Sequence, residues 1–276
     1  MKRVILTIII ISLLTGSIVG CAKKRRRRKK KRGQGASRLF VKVKGRQLLA
    51  DFDKDNLFEP YFIKGVNYNP MPVGRHPNDR GWEAPEEERP DNIFDDEQRL
   101  RRDFELLKKM GCNTIRLWKA DSTFLKGRNR YPNRMTKKTL DLAEKYGLKV
   151  IAGFWINTKP SYCRRSRRIY KGLKFSKANT QKKTKRSFLR FINKFKRHPA
   201  ILFWAIGNGN NEHFDSMDFD QLSTLYSLAD ELAAIAHTAE GKNFHPVAFV
   251  NGGIDMIGDI TYEATDLDLK NLDIWG

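Results

Sequence analysis

Residues 204–214, WAIGNGNNEHF, place several polar side chains directly after an apolar run. Three amides and one carboxylate follow within five positions: Asn208, Asn210, Asn211 and Glu212. A carboxylate can donate or accept a proton, and amides can hydrogen-bond a polar ligand. Gly209 stands among them and has no side chain with which to move a proton. This stretch therefore decides whether the chain can act as an acid–base enzyme.

Polar and aromatic side chains also stand at the ends of the other apolar segments. They are Asn67, Arg116, Trp118, Trp155, Asn157 and Asn251. In an α/β barrel the carboxyl ends of the parallel strands meet at one rim, where active sites are built. We therefore expect Asn208, Arg116 and Trp155 to line one cleft at such a rim.

The elements that must position these residues alternate between strand and helix patterns from about Ser37 onward. Apolar segments predict strands at 61–68, 112–120, 148–157, 200–208, 245–253 and 271–276. Amphipathic spacing predicts helices between them at 95–111, 137–147, 182–199 and 218–240. Residues 38–52 are typical of a short hairpin that precedes the main domain. No internal sequence repeat is evident.

This alternation, with strands that are apolar on both faces, indicates an α/β protein. An open doubly wound sheet usually carries a GxGxxG turn after its first strand, and residues 64–74, KGVNYNPMPVG, have none. The polar strand ends favour a (β/α)8 TIM barrel instead. Such a barrel has eight strands in about 250 residues. Six are countable here, so the fold is expected to be truncated after about six strands.

Four segments together resemble the catalytic barrel of the glycoside hydrolase family 2 clan: FIKGVNYNP, LLKKMGCNTIRLW, HPAILFWAIGN and LDIWG. The opening strand is also similar to the β-1,3-glucanosyltransferases. The resemblance covers roughly residues 58–276. It implies a glycosidase or transglycosidase acting on the O-glycosyl bonds of a polysaccharide or oligosaccharide, with no cofactor and no metal.

The resemblance also implies roles for individual residues. In that clan the fourth strand ends in an Asn that binds a sugar hydroxyl and a Glu that is the general acid/base, and a Glu on strand 7 is the nucleophile. Asn208 matches the amide, and Arg116 matches a cation that supports the nucleophile. Further candidates for substrate binding, with the tryptophans as stacking platforms, are Asn67, Trp118, Trp155 and Trp275. The alternatives are barrel-core packing for the tryptophans and a loop cap for Asn208.

Retaining cleavage needs two carboxyl groups about 5–5.5 Å apart, and the sequence departs from this requirement. The acid/base position is Gly209, and the strand that carries the nucleophile is missing. We interpret the chain as incomplete and inactive, with the amides at 208–211 gathered as a sugar subsite. Glu212 is the candidate for a displaced acid/base if the loop bulges. A solvated loop acid is the favoured alternative, because three residues can span roughly 10 Å.

The N-terminus predicts export. Residues 1–21 have a basic start and an apolar run typical of a signal peptide, and SIVGC resembles a bacterial lipobox with Cys21 as the lipidated residue. The alternatives are a plain signal peptide or an uncleaved anchor. We divide the chain into this signal, a basic tether at 22–37 and the barrel at 38–276. The expected location is the cell envelope, as a membrane-anchored lipoprotein.

The charge of the chain is strongly positive. The formal net charge is +23, and residues 23–32, KKRRRRKKKR, are all basic. The expected partner of this tract is an anionic membrane surface, with a solvated tether as the alternative. Nucleic-acid binding is not expected, because the apolar run argues against a cytoplasmic route. Cys112 and Cys163 are expected to be ordinary thiols rather than a disulfide framework.

Two functions from different classes follow. The first is an exported, membrane-anchored glycosidase or transglycosidase. The second is a non-catalytic surface lipoprotein that binds carbohydrate. A carboxylate on strand 7 would distinguish them, because fold alone does not imply activity.

Overall fold

The computed structural model describes ten ranges of the chain: 40–53, 55–70, 92–123, 134–156, 158, 161–163, 168–170, 174–213, 219–253 and 257–276. The chain divides into two units, Met1–Ala36 and Ser37–Gly276, and every described residue belongs to the second. The predicted signal peptide, Cys21, the basic tether and Asn157 lie outside the described residues. Within the described ranges, every helix is too short or too polar to cross a lipid bilayer.

The described unit contains short strands and four longer helices. In chain order the strands are β1 (Val41–Lys44), β2 (Gln47–Ala50), β3 (Glu59–Pro60), β4 (Gly65–Asn67), β5 (Thr114–Ser122), β6 (Lys149–Trp155), β7 (Ser161–Cys163), β8 (Arg168–Tyr170), β9 (Ile201–Ile206), β10 (Val247–Phe249) and β11 (Ile274–Trp275). The helices are α1 (Glu97–Lys109), α2 (Lys137–Lys145), α3 (Ala178–Phe195) and α4 (Phe219–Glu240).

Six of these strands form one parallel sheet. Its order is β11-β10-β9-β6-β5-β4, and each strand pairs in parallel with its neighbour. One helix lies between each of the first five strands along the chain, and a 3₁₀ turn, Ile260–Tyr262, stands between β10 and β11. The predicted (β/α)8 barrel type is confirmed: the described residues supply six of its strands in barrel order.

Two of the helices begin at a residue whose side chain caps the first turn. Asp96 caps α1 by accepting a hydrogen bond from the Arg99 amide, and Thr136 caps α2 in a reciprocal capping box with Thr139. The N-cap residue of α3, Lys177, makes no side-chain cap. Each helix buries one apolar stripe against the sheet, as the predicted amphipathic spacing requires.

The first strand of the barrel is shorter than predicted. The sequence pattern indicates a strand over 61–68, but β4 contains Gly65–Asn67 alone. The preceding residues belong to a different sheet, because β3 pairs antiparallel with β2 and the Tyr61 amide donates to the Leu48 carbonyl. The antiparallel pair of β7 and β8, between β6 and α3, was also not predicted.

The apolar core has two layers, one on each face of the sheet. The larger layer lies between the sheet and the helices and includes Phe154, Phe188 and Trp204. The smaller layer lies on the other face, where the strands contribute Ile151, Phe203, Ala205, Ala248 and the β1–β2 hairpin contributes Val41 and Ala50. The hairpin therefore covers the inner face of the barrel.

The hairpin lies at the amino-terminal ends of the strands. The Tyr61 hydroxyl, beside the hairpin, lies 2.9 Å from the hydroxyl of Thr114, the first residue of β5. Lys149, the first residue of β6, places its Nζ 4.5 Å from the ring centroid of Phe52. The opposite, carboxyl-terminal ends of the strands are therefore left for the candidate site.

Candidate functional site

Arg116 connects the carboxyl-terminal ends of β4 and β9. It was predicted at a strand end, but it is the third residue of the nine-residue β5, because that strand continues to Ser122. The Arg116 side chain leaves β5 on the inner face, where Nη2 donates to Asn208 Oδ1 at 2.7 Å and Nη1 donates to Asn67 Oδ1 at 3.3 Å. Asn67 ends β4, and Asn208 follows β9 by two residues. Partial burial lowers the pKa of the Arg116 guanidinium. The structure thus brings three of the predicted site residues together.

Asn208 keeps hydrogen-bonding capacity in this arrangement. Its Oδ1 is occupied by Arg116, but no described residue accepts a hydrogen bond from its Nδ2. Its side chain is half-buried, so the amide remains accessible from the rim. A primary amide whose oxygen is committed and whose nitrogen is available is suited to donate a hydrogen bond to a ligand oxygen.

Two tryptophans lie on the neighbouring strands β5 and β6, Trp118 two residues after Arg116 and Trp155 at the carboxyl end of β6. The rings of Trp118 and Trp155 meet edge to face, with centroids 5.6 Å apart and an interplanar angle of 89°. Lys119 places its Nζ 5.6 Å from the centroid of Trp155. Both tryptophans are half-buried rather than enclosed in the core, so part of each ring faces solvent.

A bulge in β5 sets the position of Trp118. The register between β5 and β6 shifts between Leu117 and Asp121. Gly153 of β6 lies against this bulge, because a Cβ there would stand 2.5 Å from the Leu117 carbonyl oxygen and 2.7 Å from the Trp118 carbonyl carbon. A glycine is therefore required for the close approach of the two backbones.

Asn210 and Asn211 hold the loop rather than face the rim. Asn210 is fully buried; its Nδ2 donates to the Ile156 carbonyl at 2.6 Å, and its Oδ1 accepts from the Asn208 amide at 2.9 Å. Asn211 is also buried, and its Oδ1 accepts from the Gly252 amide at 2.7 Å. The interpretation of residues 208–211 as one sugar subsite is therefore wrong for these two amides, which tie the loop to the ends of β6 and β10.

Glu212 lies beside the position that a side chain at residue 209 would occupy. It belongs to the 3₁₀ turn Asn210–His213, and its Oε2 lies 3.4 Å from the place where a Cβ on Gly209 would stand. The rest of its side chain passes over Gly252, where any Cβ would collide with Glu212 Cγ and Cδ. Glu212 is exposed to solvent. Two glycines thus leave room for this carboxylate.

Gly209 itself has a left-handed backbone, with φ of 64°. A side chain at this position would be strained, since residues with a Cβ adopt this region rarely. The lack of a side chain at position 209 and the loop conformation are therefore linked. Sequence patterns alone do not reveal this conformation.

Trp275 and Asn251 face the helices. The ring of Trp275 packs against Tyr226 and Phe249, and its Nε1 donates to Asp266 Oδ1 at 3.1 Å. Asn251 Oδ1 accepts from the Tyr226 hydroxyl at 3.4 Å. Trp275 therefore lies apart from the group around Arg116, and we leave it out of the proposed site.

The described residues contain one acidic cluster with metal-ligand spacing. Carboxylate oxygens of Asp51, Asp53 and Asp55 lie within 4.8 Å of one another. This cluster follows the β1–β2 hairpin, at the amino-terminal ends of the strands, and is not part of the rim. Elsewhere, the Cys112 thiol is buried and free.

Residues 87–263, more than half of the chain, match the family model described as glycosyl hydrolases family 2, TIM barrel domain. The chain belongs to this family. A comparison with curated proteins found no match. The similarity of the opening strand to β-1,3-glucanosyltransferases is not reflected in any of these comparisons and stays a prediction.

Several solved β-glucuronidases are similar to this family 2 domain. That of Parabacteroides merdae is 22% identical, with 56% of this chain and 16% of that chain covered and a TM-score of 0.39. Bacteroides uniformis β-glucuronidase 2 is 16% identical, with 62% of this chain and 18% of that chain covered and a TM-score of 0.42. The Dictyoglomus thermophilum enzyme is 18% identical, with 78% of this chain and 29% of that chain covered and a TM-score of 0.44. The chain thus spans less than a third of the length of each.

Proposed function

We propose that this family 2 domain binds an oligosaccharide or polysaccharide at the carboxyl-terminal rim of its strands. The observation that carries the proposal is the 2.7 Å hydrogen bond from Arg116 to Asn208, together with the Trp118–Trp155 pair on β5 and β6. It leaves an amide donor for a sugar hydroxyl, next to aromatic faces on which the apolar face of a sugar ring can stack. Membership of a glycoside hydrolase family supports a carbohydrate ligand.

Binding is tested by titrating the full chain with β-linked oligosaccharides while tryptophan fluorescence is recorded. Trp155→Ala and Asn208→Ala should each weaken binding by roughly tenfold, the loss of one stacking or hydrogen-bonding contact. The matched control is Trp275→Phe, which alters a tryptophan on the helix-side face and should leave affinity unchanged. Wild-type affinity in Trp155→Ala would show that the sugar does not bind at this rim.

This domain is proposed to bind carbohydrate without hydrolysing it. Retaining hydrolysis needs a nucleophile and a proton donor, and residue 209, at the position expected for the proton donor, is glycine. This glycine supports a non-catalytic carbohydrate-binding function. A lost general acid alone lowers turnover by about 10² to 10⁴.

A second candidate function is hydrolysis with Glu212 as the proton donor, and the position of its carboxylate beside Gly209 favours it. A proton donor is needed most for a poor leaving group, as in a natural glycan, and least for an activated aryl glycoside. If wild type is active, Glu212→Gln should therefore lose turnover on the glycan far more than on the aryl glycoside. Equal turnover by wild type and Glu212→Gln on both substrates excludes this role.

Gly209→Glu provides the complementary variant. Restoring the family residue would supply an acid at the expected position, but the backbone φ of 64° strains any side chain there. We expect gain of hydrolysis only in a protein that also contains the strand-7 carboxylate. The folded state should be checked by thermal unfolding, so that strain is not mistaken for lack of catalysis.

Export and anchoring are proposed from residues outside the described ranges. The apolar run and SIVGC support lipidation of Cys21, and the basic residues 23–32 support contact with an anionic membrane surface. Cys21→Ala should release the protein into the soluble fraction. Retention of this variant on membranes after a high-salt wash would exclude a lipid anchor at this residue.

A further inference from the structure

The solvent face of α3 carries only positive charge. Lys182, Lys183, Arg186, Arg190 and Lys194 are all exposed on it, opposite a buried stripe of phenylalanines. The sequence has no Asp or Glu between Glu144 and Glu212, although 18 Lys and Arg residues stand there. The helix therefore lacks the mixture of signs that is usual on a solvated surface.

Most of the cations on this face form no ion pair with a described carboxylate. Among the described residues, no carboxylate lies within ion-pair distance of Lys182, Lys183, Arg186 or Lys194, whereas Lys185 on the flank pairs with Glu231. Asp121 interacts electrostatically with Arg190 and Lys194, but its side chain is mostly buried beside Arg134. The face thus presents a net positive field to solvent.

The arrangement is unfavourable for the helix itself. Lys182, Arg186, Arg190 and Lys194 recur every four residues, which places like charges next to one another about 6 Å apart along the axis. The first turn of α3 has no acid, and its N-cap residue, Lys177, makes no side-chain cap. In α1, by contrast, Asp96 caps the helix and Glu97 pairs with Arg101 at four-residue spacing. A local departure of this kind is expected where a surface serves binding.

We propose that the exposed face of α3 is a binding site for an acidic polysaccharide, one that bears carboxylate or sulfate groups at regular intervals along its chain. A row of cations on a straight helix matches a linear polyanion. The choice of carbohydrate rests on the proposed function of the domain. The surface itself is separate from the rim at Arg116.

Other polyanions fit this face less well. Leu189 is its one large exposed apolar residue, so α3 lacks the apolar stripe with which interfacial helices enter a membrane. No aromatic side chain is exposed on it for stacking on the bases of a single-stranded nucleic acid. Uniform charge without apolar or aromatic contacts favours a hydrated acidic glycan.

The cationic face begins at the same end of the barrel as the rim. The hydroxyl of Thr184, in the second turn of α3, lies 3.2 Å from that of Thr123, which directly follows the carboxyl end of β5. From there α3 runs down the outside of the barrel. A long acidic glycan bound on α3 is therefore held close to the strand-end site.

The test compares two triple variants of the full chain for binding to polygalacturonate at moderate and at high salt. In K182Q/R186Q/K194Q the affinity should fall by about tenfold, and its dependence on salt should weaken, since three exposed charge contacts are removed. The control K108Q/K145Q/K242Q removes three exposed lysines that lie outside α3, and it should change affinity less than about twofold. The basic residues 23–32 are present in all three proteins, so their contribution to binding cancels in the comparison. Gln retains helix propensity, so unchanged or raised thermal stability of the α3 variant verifies folding.

Three results would overturn the proposal. Equal affinity of wild type and the α3 variant for polygalacturonate would show that α3 is not the binding site. Equal losses of affinity in both triple variants would show that binding depends on the net charge of the protein and not on a particular site. A loss confined to vesicles of phosphatidylcholine and phosphatidylglycerol in equal parts identifies a membrane surface instead. The rim is tested separately with short neutral oligosaccharides, because Trp155→Ala should weaken their binding whereas K182Q/R186Q/K194Q should leave it unchanged.

Discussion

Three asparagines within four positions have different tasks in this loop. Asn208 meets Arg116 at the rim, whereas Asn210 binds the backbone at the end of β6 and Asn211 binds the backbone after β10. The two buried amides thus hold the turn that presents Asn208 and Glu212. The role of each asparagine depends on the groups that its amide contacts, because chemically identical side chains can either face the rim or hold the loop backbone.

Asn210→Ala tests the scaffold role. The change leaves the Ile156 carbonyl and the Asn208 amide without their buried partner, and the loss should be about 1–3 kcal/mol in the free energy of unfolding. Urea denaturation of wild type and variant measures it. Asn193→Ala, on the exposed face of α3, is the control and should be neutral. A neutral Asn210→Ala would mean that the loop is held by other contacts.

At the scale of elements, the bulge of β5 decides which side chains reach the rim. The register shift after Leu117 places Trp118 against Trp155, and Gly153 is the residue that leaves space for the bulged backbone. Helices α1 and α2 are also connected by an ion pair. Glu97 of α1 accepts a hydrogen bond from Arg101 and lies 3.0 Å from the Lys138 ammonium of α2.

Gly153→Ala should destabilise the protein by about 1–3 kcal/mol, because its methyl group would meet backbone atoms of β5 that have no rotamer to change. Shifted tryptophan fluorescence should accompany the loss, as the Trp118–Trp155 contact is disturbed. The control is Gly276→Ala, where an added Cβ meets its nearest neighbours at 3.7 Å or more. Unchanged stability and fluorescence in Gly153→Ala would contradict the close approach.

Acidification should lower the thermal stability of the protein, in part because it protonates the ion-paired carboxylates of α1 and α2. Hydrogen bonds from Arg101 and Lys138 lower the pKa of Glu97, and those from Lys137 and His198 lower the pKa of Asp141. A lowered folded-state pKa contributes stability that is complete above the unfolded-state pKa, roughly 4, and that is lost as pH falls through the folded-state pKa. Thermal midpoints between about pH 6 and 3 should fall less in E97Q/D141N than in wild type. The difference is expected to be small, since both pairs are exposed, and identical pH profiles would contradict it.

At the scale of the whole molecule, the β1–β2 hairpin and the six-stranded sheet share one core. Val41 and Ala50 of the hairpin pack with Ile151, Phe203 and Ala248 on the inner face of the barrel strands. Closing this face from the amino-terminal side leaves the carboxyl-terminal rim for ligands. The hairpin is therefore part of the barrel's folding unit rather than an appendage.

Val41→Ala measures that contribution. Removing two buried methyl groups should lower the free energy of unfolding by about 2 kcal/mol, and unfolding should remain a single transition. Lys44→Ala, exposed on the same strand, serves as the control and should have little effect. A separate early transition that affects the hairpin alone would show that it folds independently of the sheet.

The order of the elements, the barrel type and the positions of Asn67 and Asn208 at strand ends could be predicted from the sequence, whereas Arg116 lies within β5 rather than at its end. These follow from local signals: apolar runs, helical spacing and caps depend on residues close in the chain. The family resemblance carried by WAIGN and its companion segments was local in the same way, and the family match agrees with it.

The face of the sheet that each side chain occupies depends on contacts between residues that are distant in the sequence. Parallel strands are apolar on both faces, so alternation does not tell that Trp155 faces the rim while Trp275 faces the helices, and a bulge changes the register without a clear local signal. The roles of Asn210 and Asn211 depend on Ile156 and Gly252, about fifty and forty residues away along the chain. The place of Glu212 beside Gly209 likewise results from the loop backbone and from the space over Gly252, because a side chain's surroundings are set by contacts that are distant in sequence.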